Sequence, residues 1–244
     1  MPKNSNGRVL YQGPSMLDGK PIVVIATGLT RWSFNSKTGA MVQVYILLAD
    51  VAPHVAAKLG LDVSICGDCR HKPTVDGSCY VDVWKDPNQI WKCWTTGSGY
   101  PDFHPDDLGL FQRRKVRVGS YGDPAAAPYA VWETILTVCD GNTGYTHQWR
   151  TCDPRLKLWL MASADTAEEK AEAEADGWRV FRVRTSAEDE PREANEFVCG
   201  ASEDRGFVIT CEACMACGGT MSKALASVTN TIHGSRAKKF RRTA

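Results

Sequence analysis

Long apolar runs are missing from this sequence. No segment approaches the length of about 20 apolar residues that a membrane-spanning helix needs, although 43% of the 244 residues are hydrophobic. The amino-terminal residues MPKNSNGRVLYQGPS have no apolar stretch behind Lys3, and so they lack the pattern of a secretory signal. We therefore expect a soluble protein of the cytoplasm that makes no membrane contact.

An excess of charge of either sign is also missing, because 29 Lys and Arg residues stand against 28 Asp and Glu residues. A nearly neutral chain gives no general reason to expect binding to nucleic acid or to an anionic membrane. Basic residues are concentrated only locally, at 112–115 and in the tail at 236–242. Such runs are usually solvated faces, so the tail is a candidate contact for nucleic acid and no more than that.

Cysteine, in contrast, is abundant, and seven of the ten cysteines fall into two groups. A chain of this length can fold without disulfide staples, and thiols in the cytoplasm stay reduced. We therefore interpret both groups as metal ligands, with a disulfide scaffold as the alternative. The members are Cys66, Cys69 and Cys79 in the first group, and Cys199, Cys211, Cys214 and Cys217 in the second.

The second group has spacings of eleven, two and two intervening residues. Gaps of two residues allow successive thiolates to turn toward one centre. Iron–sulfur clusters commonly take three cysteines at such spacing and a fourth from elsewhere in the chain, whereas structural zinc more often uses two separated pairs. The spacing predicts a closed four-cysteine site that holds an iron–sulfur cluster or Zn²⁺, with Cys199 as the fourth ligand.

The first group has only three cysteines, with His71 close by in the sequence. If His71 is a ligand, the site is a closed zinc knuckle and its role is structural. If it is not, three thiolates leave one coordination position free, and a metal centre of this kind stays accessible to water, substrate or cofactor. Both interpretations are consistent with the sequence.

The order of predicted elements indicates an α/β protein. After an N-terminal β-hairpin with strands at 21–27 and 41–48, apolar runs of strand length alternate with helical patterns. Such alternation implies right-handed crossovers and a parallel sheet, which we expect to form a partial or full (βα) barrel carrying the two cysteine-rich metal-binding loops. Further helices are predicted at 52–59, 87–97, 129–138 and 167–176, and further strands at 115–120, 145–149, 156–161, 179–184 and 226–232.

Several local signals set the expected boundaries. Asp50 is expected to cap the first helix and Gly60 to end it, and Asp165 or Thr166 is expected to cap the helix at 167. Residues 186–196 are polar and acidic without periodicity, which predicts an exposed loop. The expected units are 1–60, a hairpin and short helix packed on the core; 61–234, the barrel-like domain; and 235–244, a basic tail.

Trp32, Phe34 and Lys37 lie on the predicted loop of the hairpin. Aromatic and cationic side chains in this position could stack on a nucleotide and pair with its phosphate. Exposed aromatic residues on hairpins more often pack against a neighbouring element, and packing is the favoured interpretation. Together with the basic tail, this loop is the predicted contact for a nucleic acid.

Polar residues also follow several of the predicted strands. Asp123 and His147 would lie at the ends of adjacent core strands, where a carboxylate and an imidazole could share proton transfer. The alternative roles are a turn-stabilising aspartate and a histidine that is hydrogen-bonded to backbone. Ser163 and Asp165 follow another strand, and Asp165 fits a helix cap at least as well as a ligand.

Residues 119–124, Gly-Ser-Tyr-Gly-Asp-Pro, resemble the Gly-Gly-Glu-Pro turn of radical S-adenosylmethionine enzymes, with Gly122, Asp123 and Pro124 at the matching positions. In that family the turn follows a core strand of a partial (βα) barrel and binds the amino group of the methionyl moiety. The order of parts is similar too, because a three-cysteine loop precedes the turn and a cysteine-rich segment follows further βα units. The resemblance implies that these three residues bind S-adenosylmethionine.

Two features of this sequence differ from the pattern of that family. Its cysteines are typically separated by three and then two residues, whereas two and then nine intervene in this chain, and Asp123 stands where the family has glutamate. The chain as a whole also resembles uncharacterised proteins encoded by bacteriophages. That resemblance implies the cytoplasm of a bacterial host as the location, and it implies no particular activity.

Two kinds of function follow from these predictions. The first is a metal-dependent enzyme, similar to the radical S-adenosylmethionine enzymes, that acts on a nucleotide or nucleic acid with Asp123 and His147 as catalytic residues and Ser163 as a cofactor contact. The alternative is a protein without catalysis, stabilised by zinc, that binds nucleic acid or a host factor. Metal content separates them, because the first requires iron and acid-labile sulfide and the second requires zinc.

Overall fold

The computed structural model describes residues 6–32, 34–96, 99–206, 208–233 and 236–240. Within these ranges the protein is a mixed α/β structure in which the strands form two five-stranded sheets. The first sheet has the order β1-β2-β3-β4-β5, and it is antiparallel from β1 to β3 and parallel from β3 to β5. Its strands are β1 (Gly7–Pro14), β2 (Pro21–Thr27), β3 (Val42–Leu48), β4 (Val116–Tyr121) and β5 (Asn142–Thr143).

The second sheet is parallel throughout and has the order β6-β7-β8-β10-β9. The parallel pairing confirms what the alternation of strands and helices predicts. Its strands are β6 (Tyr145–Thr146), β7 (Met161–Ala164), β8 (Val180–Arg184), β9 (Glu196–Val198) and β10 (Ser227–Thr231).

Gly144 alone separates the last strand of the first sheet from the first strand of the second. Its carbonyl accepts a hydrogen bond from Met161 N at 3.0 Å, and its own N–H donates to Cys217 O at 3.1 Å. The two sheets therefore adjoin along one continuous piece of chain. The outer strands β1 and β9 do not pair with each other, so the described strands form no closed barrel, which was one of the two expected forms.

The N-terminal hairpin is confirmed, because β2 and β3 pair antiparallel from Ile22 opposite Leu48 to Thr27 opposite Gln43. Both strands are almost wholly buried, and their apolar side chains belong to the main hydrophobic core. The strand β1 was not predicted, because its residues are only half apolar. It forms the edge of the sheet beside β2.

Six α-helices in the described residues connect these strands, and their boundaries follow the local signals in most places. Gly60 ends the first helix in the left-handed conformation as expected, but the expected cap at Asp50 is wrong, because Ala52 occupies the N-cap position without a side-chain hydrogen bond. Thr166 caps the fifth helix by accepting from Glu169 N. The helices are α1 (Pro53–Leu59), α2 (Val63–Cys66), α3 (Asp86–Thr95), α4 (Tyr129–Leu136), α5 (Ala167–Ala175) and α6 (Cys211–Cys214).

The apolar segment at 156–161 is not the predicted strand. Asp153 accepts a hydrogen bond from Arg155 N and starts a 3₁₀ helix over Pro154–Leu158, and the strand β7 begins only afterwards. Leu156 and Leu160 are buried, but Leu158 between them is 37% exposed, whereas a strand would place all three side chains on one face. The strand expected at 145–149 is also shorter, because only Tyr145–Thr146 pairs.

The acidic segment at 186–196 is not simply an exposed loop. Glu190 is buried and accepts hydrogen bonds from Thr185 N and Thr185 Oγ1. Glu196 is buried at the start of β9 and forms a bidentate ion pair with Arg182, with both N–O distances at 2.7 Å. Hydrophobicity does not reveal these carboxylates as buried, because their partners, Thr185 for Glu190 and Arg182 for Glu196, lie outside the segment.

The basic tail also packs on the protein where it is described. Residues Ala237–Lys239 form a short 3₁₀ helix, and the following Phe240 is buried with its ring centroid 5.3 Å from that of His71. Residues 235 and 241–244 of the predicted tail lie outside the described residues. None of the helices in the described ranges has both the length and the apolar character that crossing a membrane requires.

Candidate functional site

A cavity of about 200 Å³ lies where the two sheets adjoin. It is lined by Gly119 to Asp123 at the end of β4, by Tyr145 of β6 and by Phe181 of β8. Both cysteine groups reach it, because Cys66, Cys69 and Cys79 line it together with Cys199 and Cys211. The fold therefore brings residues of both groups to one cavity, which their positions in the sequence do not show.

The first cysteine group begins at the end of α2. Burial raises the pKa of the Cys69 thiol to about 12 and that of Cys79 to about 11. Burial also raises the pKa of Cys66, and the neighbouring thiolates of Cys69 and Cys79 raise it further. Without a cation the three thiols stay protonated at neutral pH, and a bound metal would supply the charge that stabilises the thiolates.

Hydrogen bonds fix this loop against the turn that follows β4. Asp123 N donates to Ile65 O at 2.6 Å, directly before the first cysteine. Gln148 Nε2 donates to Asp68 Oδ1 at 2.6 Å and to Cys66 O at 3.3 Å. The segment that resembles the S-adenosylmethionine turn is therefore attached directly to the three-cysteine loop.

His71 is buried and uses both ring nitrogens away from the cysteines. Nδ1 lies 2.7 Å from Ser78 Oγ, and Nε2 lies 2.9 Å from Asp165 Oδ1. The ring stacks against Phe240 at an interplanar angle of 12°. In this arrangement neither ring nitrogen is directed at the three thiols as a fourth ligand.

Asp123 stabilises the turn, as one of its two predicted roles requires. Oδ1 accepts from Ala125 N at 2.9 Å and Oδ2 accepts from His147 N at 2.8 Å. Burial raises the pKa of the carboxyl, and the neighbouring His147 opposes this shift. The carboxylate is bonded to the backbone of His147, and the imidazole Nε2 of His147 is buried without a hydrogen-bond partner among the described residues.

Ser163 lies within β7, and Asp165 directly follows the last residue of this strand. Ser163 is buried and lines the cavity. Burial works against ionisation of Asp165, but the hydrogen bond from His71 and the charge of His147 together hold the pKa of this carboxyl below its usual value. The helix cap at this position is Thr166, which leaves the Asp165 carboxylate available for contacts inside the protein.

The four cysteines of the second group are neighbours. Cys211 and Cys214 lie at the two ends of α6, and Met215 then takes a left-handed conformation with φ 53° that turns the chain toward Cys217. Burial raises the pKa of Cys217 to about 12, with further increases from the other three thiolates and a lowering hydrogen bond from Tyr145. The charges of the other three cysteines act on Cys217, so the four thiols lie in one region of the protein.

Other residues of the cavity were missed by the sequence analysis. Arg117 of β4 is buried and donates from Nη2 to the hydroxyl of Tyr80 at 2.7 Å, and this partner raises the pKa of Arg117. Tyr121 also lines the cavity, and its buried hydroxyl has no hydrogen-bond partner within the described ranges. Both residues lie an even number of positions apart in β4, so a strand pattern places them on one face. The pattern does not show whether that face lines a cavity or a packed core.

The hairpin loop divides into an inward and an outward part. Lys37 lines the cavity, where Nζ lies 2.9 Å from His233 Nε2. Trp32 and Phe34 are 70% and 74% exposed, so the favoured expectation that they pack against a neighbour is wrong. The guanidinium of Arg114 lies 5.0 Å from the centroid of the Trp32 ring, which places a cation beside the exposed aromatic pair.

Comparison of the chain with protein-family models, with curated proteins and with solved structures gives no match. The class of protein is therefore defined by the fold and the site alone. It is a mixed α/β protein in which cysteines from two separate segments line one cavity at the junction of two sheets.

Proposed function

We propose that the protein is a metal-dependent enzyme, similar to radical S-adenosylmethionine enzymes, that acts on a nucleotide or nucleic acid in the cavity between its cysteine groups. One observation carries this proposal: Cys66, Cys69 and Cys79 line the cavity while His71 is bonded to Ser78 and Asp165. Three thiolates without an imidazole ligand would leave a metal centre with a free position, and the cysteines that would hold it line the cavity.

The spacing of the thiols supports an iron–sulfur cluster over a single zinc ion. Zinc binds thiolate sulfur at about 2.3 Å, so two sulfurs of a tetrahedral site lie about 3.8 Å apart. Neither cysteine group has three sulfur atoms within 4.8 Å of one another in the described part of the chain. A cluster binds each thiolate through a different iron, so it does not require three sulfur atoms to meet at one ion.

The cofactor contacts follow from the turn at 119–124. Gly122 and Asp123 line the cavity beside the cysteine loop, and Ser163 lines it from β7. S-adenosylmethionine bound here would supply a reactive adenosyl group next to the metal. Because the Asp123 carboxylate accepts from two backbone amides, its part in this site is to hold the turn in place.

The shape of the cavity supports a small planar substrate group. Tyr145 and Phe181 supply aromatic surface, with ring centroids 4.7 Å apart, and Arg117 supplies a buried positive charge. Enzymes that modify a base in nucleic acid take it out of the stack and into such a pocket. We propose that the two sheets continue into one open, barrel-like wall around this group, with the two cysteine loops at its rims.

Metal analysis of the protein purified without air tests this proposal. We expect iron and acid-labile sulfide in the wild type, loss of part of both in Cys66→Ser, and loss of the remainder when Cys214→Ser is added. Cys93→Ser is the matched control, because Cys93 belongs to neither group and packs against the core. Two equivalents of zinc with no iron or sulfide would contradict the proposal.

A second candidate function is zinc-stabilised binding of nucleic acid without catalysis. The exposure of Trp32 and Phe34 beside Arg114 favours it, because aromatic rings near cations stack on bases and contact phosphates. We expect its affinity to fall steeply with salt, since phosphate contacts release counterions. Trp32→Ala should weaken this binding, while Leu225→Ala, which removes another exposed side chain, should not.

A further inference from the structure

Three residues at one end of the cavity form a ligand set that the cysteine groups do not include. His71, His147 and Asp165 each place one ligand atom within 4.8 Å of those of the other two. They come from the cysteine loop, from the end of β6 and from the end of β7, and β6 and β7 are adjacent parallel strands. The carboxyl ends of neighbouring parallel strands are where functional groups converge.

We propose that His71, His147 and Asp165 bind one divalent first-row transition-metal ion, Fe²⁺ or Zn²⁺, at a position separate from both cysteine groups. Two imidazoles and one carboxylate form a set that binds such ions and leaves coordination positions open. Metal–ligand bonds of about 2.1 Å place two ligand atoms about 3 Å apart in octahedral coordination and about 3.4 Å apart in tetrahedral coordination. The 2.9 Å between His71 Nε2 and Asp165 Oδ1 matches the octahedral spacing.

The surroundings of His71 suit a ligand. A metal-bound histidine usually donates its second ring N–H to an oxygen, which fixes the tautomer and the orientation of the ring. Nδ1 of His71 lies 2.7 Å from Ser78 Oγ, which can accept a hydrogen bond from its proton when a bound ion replaces the hydrogen bond between Nε2 and Asp165. Stacking on Phe240 holds the ring in this plane.

His147 has a nitrogen that lacks a partner. Its Nε2 is buried and has no hydrogen bond in the described part of the chain, which is unusual for a polar atom without a functional role. Its backbone is fixed, because its N–H donates to Asp123 Oδ2 at 2.8 Å. The Asp123 carboxylate therefore acts as a positioning group for this ligand.

The open positions of the ion would face the cavity. His71, His147 and Ser163 all line it, so water or an oxygen atom of a ligand can reach the metal from inside. A divalent ion with one carboxylate ligand keeps a net positive charge, which favours an anionic ligand such as a phosphate or carboxylate. The assignment does not depend on which metal the cysteines hold.

Metal stoichiometry of the full-length protein tests the site. Metal-depleted protein is titrated with Zn²⁺ against a competing chelator, and the number and affinity of the sites are compared among variants. We expect Asp165→Asn and His147→Gln each to weaken one site at least a hundredfold while the cysteine-bound metal is retained. Ser78→Ala should weaken the same site 10- to 100-fold, as outer-shell partners of metal-bound histidine do.

His104→Gln is the matched control, because this histidine is exposed and outside the cavity. Thermal unfolding of each variant without metal shows whether it is folded, and Asp165→Asn preserves the size of the side chain. Retention of every site in both Asp165→Asn and His147→Gln would overturn the proposal. If Cys66→Ser loses the same site, the ion is not bound separately from the thiolates, and the proposal is overturned. Absence of iron would contradict only the proposed function.

Discussion

Nε2 of His71 lies 2.9 Å from Oδ1 of Asp165, although 94 residues separate the two in the sequence. This contact joins the three-cysteine loop to the carboxyl end of β7. The same histidine is bonded to Ser78 within its own loop, so one side chain connects the loop internally and to the parallel sheet. The three-cysteine loop is thus held by the second sheet as well as by the turn after β4, although β7 lies far along the sequence.

Gly122 should be sensitive to a single added methyl group. It has φ +82°, and a Cβ there would lie 2.6 Å from Ile46 O in β3. The left-handed conformation costs an alanine about 1 kcal/mol and the backbone clash about 2 kcal/mol more. We expect Gly122→Ala to lower the free energy of unfolding by about 3 kcal/mol, measured by urea denaturation.

Gly19→Ala separates the two contributions. Gly19 has φ +78° and no atom within 4 Å of the added Cβ, so only the conformational cost of about 1 kcal/mol applies. Equal losses in both variants would show that the turn can move away from β3.

The ion pair between Arg182 and Glu196 should contribute strongly to stability when one partner is removed. Both side chains are almost completely buried. Arg182→Met leaves the carboxylate buried without its partner, and we expect a loss of about 3–5 kcal/mol in the free energy of unfolding. Arg155→Met, which breaks an exposed pair with Asp153, serves as the comparison and should change stability little.

Acid should remove the stabilisation that the Glu196 carboxylate contributes to the folded protein. Burial opposes its ionisation, but hydrogen bonds from Arg182 and from Glu193 N hold its pKa below the usual value. A carboxyl whose folded pKa is depressed stabilises the protein above its unfolded pKa of about 4.3, and this stabilisation is lost as the pH falls through the folded pKa. We expect the stability of the wild type to fall more steeply than that of Glu196→Gln between about pH 5 and pH 2, in matched denaturation series. If the stability of the two proteins falls equally with pH, the pKa of Glu196 does not differ between the folded and unfolded states.

Phe240 should stabilise the three-cysteine loop against local opening. Its ring stacks on His71, and the guanidinium of Arg70 lies 5.1 Å from its centroid. Truncating a buried aromatic side chain to alanine lowers the free energy of unfolding by about 3 kcal/mol, at the low end of the usual range. We expect Phe240→Ala to speed hydrogen–deuterium exchange of the amides at 69–79 while β2 and β3 keep their protection. Leu225→Ala is the control, and unchanged exchange of the loop would contradict the role of the tail.

Regular elements with strong local signals were predictable. The hairpin of β2 and β3, the helices α3 and α5, and the strand β8 all appear close to their predicted boundaries. Apolar runs, helix caps and turn residues act over a few neighbouring residues, so the sequence carries enough information for them. The failures include the segment at 156–161, where the cap at Asp153 starts a 3₁₀ helix, and the acidic residues at 186–196, whose partners lie outside the segment.

The sequence by itself determined which residues are capable of metal chemistry, because the type and spacing of Cys66, Cys69 and Cys79 and of the second group are local properties. Only the tertiary structure decided that both groups line one cavity and that His71 bonds to Asp165. The same holds for Asp123, whose carboxylate supports a turn and the backbone of His147. The physical reason is that a side chain's partners are set by which strands become neighbours, and parallel pairing joins segments far apart in the chain.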